Sequence, residues 1–97
     1  MHRILFALSL CAALAPAAEW TGAISESGCG LKHSTGAAEK CVESCVKKGA
    51  EPVFVTNNKV VRIANAERVM DFLGQKVKID GRLENDTITV DRIQKAD

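Results

Sequence analysis

Apolar and polar residues alternate from Glu19 to Ser25, where Trp20, Gly22 and Ile24 interleave with Thr21, Ala23 and Ser25. The period of two predicts a short strand ending at Gly28-Cys29-Gly30. Residues 31–36 read as loop. From Ala37 to Lys48 the period lengthens. Ala38, Cys41, Val42, Cys45 and Val46 recur at helical spacing, Glu39 stands in the first turn, Lys47 and Lys48 stand in the last, and Gly49 is the stop.

After Pro52 the period returns to two. Val53-Phe54-Val55-Thr56 and Lys59-Val60-Val61-Arg62-Ile63 are β-branched runs joined by Asn57-Asn58, and Asn tolerates the positive φ of a two-residue hairpin turn. Asn65 can cap a short helix in which Ala66, Val69, Met70 and Leu73 share one face and Gly74 is the end. Val77, Ile79 and Leu83 then alternate with Lys76, Lys78, Asp80 and Arg82, and Thr87 to Val90 returns after a turn at Asn85-Asp86. Gly81 inside the longer strand marks a bulge or bend.

The order is strand, helix, strand, strand, short helix, strand, strand. Five strands with a helix between the third and fourth is the order of the OB-fold, a small Greek-key β-barrel. The fold class is therefore mainly β and OB-fold-like, with the cysteine-bearing helix inserted between strands one and two. An α+β sandwich with the same element order is the alternative.

Length and charge narrow the function classes. Ninety-seven residues make one small domain, too short for a (β/α)8 barrel or a dinucleotide-binding domain beside a substrate domain. A formal net charge of +1 supplies no field to gather nucleic acid or anionic lipid. Single-strand binding also needs stacking aromatics in a basic groove, and outside the N-terminal segment only Trp20, Phe54 and Phe72 are aromatic, so nucleic acid is not expected as a partner.

The N-terminus reads as an address. Met1-His2-Arg3 is a short positive region, Ile4 to Leu14 is apolar apart from Ser9, and Ala15-Pro16-Ala17 places small residues where a signal peptidase needs them. As a helix the apolar run spans roughly 16 Å against a hydrocarbon core of ~30 Å, so a secretory signal over residues 1–18 is expected rather than a membrane anchor. Lipid attachment at Cys11 is disfavoured by the bulky Leu10 before it. The expected mature domain, 19–97, is destined for export, to a periplasm or the extracellular space, and has no membrane span. Losing Cys11 changes the even total of four cysteines to three: Cys29, Cys41 and Cys45. In an oxidising compartment one thiol is then left over, binds metal, or pairs with another chain.

Those three cysteines carry the candidate chemistry. Cys29 and His33 form a C-x3-H pair on a loop; Cys41 and Cys45 form a C-x3-C pair on one helical face. Three sulfurs and one imidazole make a tetrahedral zinc shell, and the soft thiolates also suit Cu(I). The other reading is a disulfide from Cys29 to Cys41 or Cys45. Closing that loop contributes about 3 kcal/mol on the chain-entropy model, enough to decide folding in so small a domain. A Cys41–Cys45 bridge is disfavoured, because helical neighbours hold their Cβ atoms about 5–6 Å apart where a disulfide needs about 3.8 Å.

No catalytic set emerges. Cys41 lies beyond the first helical turn and no CxxC is present, and His33 has no G-x-S-x-G elbow to accompany it. Asp80 and Glu84 read as surface charge. The Asn85-Asp86-Thr87 sequon coincides with a hairpin turn, where Asn and Asp are expected on backbone grounds.

Taken together, Ile24-Ser25-Glu26-Ser27-Gly28-Cys29-Gly30, His33, Cys41-Val42-Glu43-Ser44-Cys45-Val46-Lys47-Lys48-Gly49-Ala50, Val53-Phe54-Val55 and Lys76-Val77-Lys78-Ile79-Asp80-Gly81 resemble a family of small exported bacterial proteins classed as a domain of unknown function. In that family an Asp often stands where this chain has Glu26. The resemblance implies an envelope location and an OB-like barrel, and it implies no activity. The expectation is a non-enzymatic binding module in which Cys29, His33, Cys41 and Cys45 fix the inserted helix by disulfide or by Zn or Cu(I), with a small ligand or an envelope protein as partner. A thiol redox or metal-handling protein is the alternative.

Overall fold

A computed structural model describes residues 16–96, so most of the expected signal segment, including Arg3 and Cys11, lies outside the described residues. The fold is mainly β. Strands β1 (Ala18–Glu26), β2 (Pro52–Thr56), β3 (Lys59–Ile63), β4 (Lys76–Glu84) and β5 (Thr87–Lys95) are joined by one α-helix, α1 (Glu39–Lys47), and two 3-10 turns, Gly30–His33 and Ala66–Phe72.

The strands pair in the order β1-β2-β3-β5-β4, and β4 pairs back onto β1. β1 closes this ring because it is shared lengthwise. Its first part, Ala18 to Ala23, runs antiparallel to β4, and its last part, Ala23 to Glu26, runs antiparallel to β2. β3 and β5 are parallel over two registers, Arg62 with Thr87 and Ile63 with Ile88, so the sheet is mixed.

Both tight turns follow the sequence. Asn57 and Asn58 have φ of 51° and 61°, and Asn85 and Asp86 have 52° and 58°. Two successive left-handed residues match the right-handed twist of the strands they join. The expected irregularity at Gly81 is also present, as a register shift between Asp80 and Gly81 against β5. A Cβ there would collide with the Thr89 carbonyl oxygen, which is why only glycine fits.

The second half of the chain departs from the pattern-based expectation at β5 and at the segment after Asn65. β5 continues past Val90 to Lys95, with largely exposed residues, because the first half of β4 supplies its partners from Val77 to Asp80. The segment after Asn65 is a 3-10 turn, whose threefold repeat aligns residues three apart, so Val69 is buried while Met70 is 45% exposed. Asn65 does not cap it. Its side chain donates to the Val90 carbonyl at 2.8 Å and accepts from the Val90 N–H at 2.9 Å, acting as a substitute strand partner.

The core fills the ring from inside. Ile24, Phe54, Val61, Val77, Ile79 and Ile88 come from the five strands, Val42 of α1 covers one part, and Val69 and Leu73 cover another. Relative to Val42, the one fully buried residue of α1, Cys45 lies about 60° around the helix and Cys41 about 100° in the same sense. That rotation leaves Cys45 half-buried and Cys41 exposed.

The helix is held in that rotation at both ends. Ala38 N–H donates to the Gly74 carbonyl at 3.0 Å, and Gly74 N–H donates to the Ile24 carbonyl at 2.8 Å, tying the start of α1 to β1. Gly74, at φ 76°, is approached so closely by Ala38 and Glu39 that a Cβ would lie 2.5 Å from their backbone. This clamp, together with left-handed Gly36 and Ala37, delays α1 to Glu39 rather than Ala37. At the other end Ala50 N–H bonds the Cys45 carbonyl and Gly49 N–H bonds the Val46 carbonyl, a Schellman motif with Gly49 at φ 110°.

Candidate functional site

Side chains alternate across a strand, so the parity that sends Ile24 into the core sends Glu26 the same way. Glu26 is the last residue of β1, and its side chain is fully buried. One carboxylate oxygen is used locally: Oε1 accepts the Gly28 N–H at 2.6 Å and the Cys29 N–H at 3.2 Å, which bends the chain sharply after the strand. Ser25 Oγ donates to the Gly30 carbonyl at 2.8 Å and secures the same bend.

The bend feeds directly into the 3-10 turn Gly30–His33. Lys32 N–H bonds the Cys29 carbonyl at 3.0 Å, and the turn folds His33 back over Cys29. The residues expected to be mere loop are therefore ordered by backbone hydrogen bonds. As a result, a ligand oxygen of Glu26, the Cys29 sulfur and a ring nitrogen of His33 all lie within 4.8 Å of one another.

Two atoms of these residues are buried without a hydrogen-bond partner, Glu26 Oε2 and His33 Nε2. Buried polar atoms are paired in the great majority of cases, so a coincidence of two beside a free thiol calls for a cause. The thiols of Cys29 and Cys45 neighbour the carboxylate without aligning a hydrogen bond to Oε2.

The electrostatics are those of an ionised carboxylate among protonated thiols. Burial pushes the Glu26 carboxyl up. The Cys29 thiol, the Gly28 and Cys29 amides and the Cys45 thiol together outweigh burial and hold it below the ordinary carboxylate value. Cys29 is pushed up, first by its contact with Glu26 and then by burial and the neighbouring charges. Cys45 is pushed up by burial, then by the Glu26 charge and by Cys41.

The structure thus regroups the expected Cys29, His33, Cys41 and Cys45 set. It brings Cys29 and His33 together and places Cys45 against their acidic neighbour. It turns Cys41 to the surface, where it shares an open depression with His33, Gly36 and Ala38. All three sulfurs are free. Glu26 is the residue that pattern reading passed over as a site member. The available signal was its parity with Ile24, an acid on the core-facing side of a strand three residues before a cysteine.

The donor set suits a metal ion. Tetrahedral bonds of ~2.0–2.3 Å place ligand atoms about 3.3–3.7 Å apart, so donors that lie within 4.8 Å of one another need draw in by at most about 1.5 Å to share an ion. Other charged surfaces offer less. A second depression is lined by Arg68, Lys78 and Arg92 but also by Glu19 and Asp80, so its charges nearly cancel. No helix among the described residues is long and apolar enough to cross a membrane. The chain matches no family model, no curated protein and no solved structure.

Proposed function

We propose that this chain is an exported, non-enzymatic OB-like domain that binds one Zn2+ ion through Glu26, Cys29 and His33. The single observation that carries the reading is the convergence of ligand atoms of Glu26, Cys29 and His33 within 4.8 Å of one another, in residues whose Glu26 Oε2 and His33 Nε2 are buried without a partner. The OB-like assignment is supported by the strand order β1-β2-β3-β5-β4, with the 3-10 turn between β3 and β4. Export is supported by the positive, apolar and small-residue pattern of residues 1–18.

A carboxylate in place of a third sulfur decides between the two candidate metals. Zn2+ is borderline in softness and accepts carboxylate, imidazole and thiolate alike, whereas Cu(I) prefers sulfur. Protein isolated from the periplasm, analysed by native mass spectrometry with a thiol count, should carry one zinc per chain. Cys29→Ser should abolish it. Three thiols without metal would overturn the reading, and a mass lower by two hydrogens would replace it with a disulfide staple.

A further inference from the structure

Resting on that zinc reading, we infer that the ion is cargo rather than a permanent staple, and that it enters and leaves by ligand exchange through the exposed Cys41 and its helical neighbour Cys45. A structural zinc site is closed by four protein ligands. Here three donors converge, and the way in is lined with further donors rather than sealed.

The path can be followed residue by residue. Cys41 is exposed and lines the same open depression as His33. Cys45 lies one turn further along α1, on the same side of the helix, and residues four apart on a helix are neighbours. Cys45 in turn stands against Glu26, whose fully buried Oε2 has no partner. Sulfur at the surface, sulfur halfway in, and a convergent Glu-Cys-His set at the end give each step a new ligand before the previous one is released.

The exchange is balanced without redox chemistry. A Zn–S bond to Cys41 forms as a bond to the donor, a small thiolate or imidazole chelate, breaks, and the Cys41 proton passes to solvent. Bonds to Cys45, then to Glu26, His33 and Cys29, replace it. Cys45 and Cys29 likewise give a proton to solvent as their Zn–S bonds form, the Cys41 and Cys45 thiolates are reprotonated on release, and zinc stays divalent throughout, so the chain sheds one proton on balance, that of Cys29.

The experiment combines a competition titration with stopped-flow transfer between the full chain and the chromogenic zinc chelator 4-(2-pyridylazo)resorcinol. Cys41→Ser should leave the zinc Kd within about twofold while slowing uptake and release alike by about tenfold, and Cys41→His, which restores a zinc ligand at the surface, should recover most of the rate. Unchanged rates in Cys41→Ser would overturn the entry role and leave the zinc site standing. A Kd weakened by tenfold or more would make Cys41 a resident ligand and overturn it as well. Absence of zinc binding by the unaltered chain in the titration would remove both readings at once.

Discussion

The two long connections of the ring treat the polar groups that face the core in opposite ways. Between β3 and β4, Asn65 sits against β5 with both ends of its amide engaged, donating to and accepting from Val90 at 2.8 and 2.9 Å. Between β1 and β2, Glu26 spends one oxygen on the backbone of Gly28 and Cys29 and keeps the other unpartnered, as His33 keeps Nε2. Both connections lie on the same core and are joined to each other through Gly74 and Ala38. On the proposed zinc reading, the Asn65 amide serves the fold, whereas the unpaired Glu26 and His33 atoms find their partner in the ion. A polar group that completes the fold is paired within it, and one left unpaired in a dry place is available to a ligand.

Zinc gives the sharpest way to break this contrast. Unfolding of the metal-free protein and of the protein in free zinc at a thousand times Kd should differ by about 4 kcal/mol, and chelation should reverse the gain. His33→Ala should lose that gain while the metal-free stability stays within about 1 kcal/mol, because His33 Nε2 holds no bond in the fold to lose. If the variant unfolds without metal as readily as a core variant, the histidine is structural and the contrast collapses.

Asn65→Ala should show the opposite profile. It strands the buried backbone groups of Val90 and should lower stability by about 1–3 kcal/mol with zinc affinity unchanged, as read by chemical unfolding and by titration.

The smallest effect belongs to Glu26 in the metal-free state. Its carboxyl is held below the ordinary value, so its contribution is complete above the unfolded-state pKa of about 4.3 and is lost as pH falls through the lowered folded-state value. Glu26→Gln keeps an acceptor for Gly28 and Cys29 but not the charge. At neutral pH it should be less stable by about 1 kcal/mol, and the gap should close as the solution is acidified. A gap that widens in acid would show that the carboxyl is protonated in the fold.

Most of the ring was legible along the chain because its signals are local. Period-two runs, Asn57-Asn58 and Asn85-Asp86 at the turns, Gly49 after the helix and Gly81 in β4 each act within a few residues. The pairing of Cys29 with His33 was legible for the same reason, since one short turn brings them together.

The full length of β5 and the side-chain role of Asn65 were not, because both depend on a partner strand supplied from elsewhere. The same holds for the candidate site. By itself the sequence determined which residue types could carry chemistry and which two stand side by side, since spacing along a turn is a covalent matter. Only the tertiary structure decided that Glu26 joins them and that Cys41 departs. The first follows from β1 ending beneath the turn, the second from a helix whose rotation is fixed by Val42 in the core and by the Ala38–Gly74 clamp.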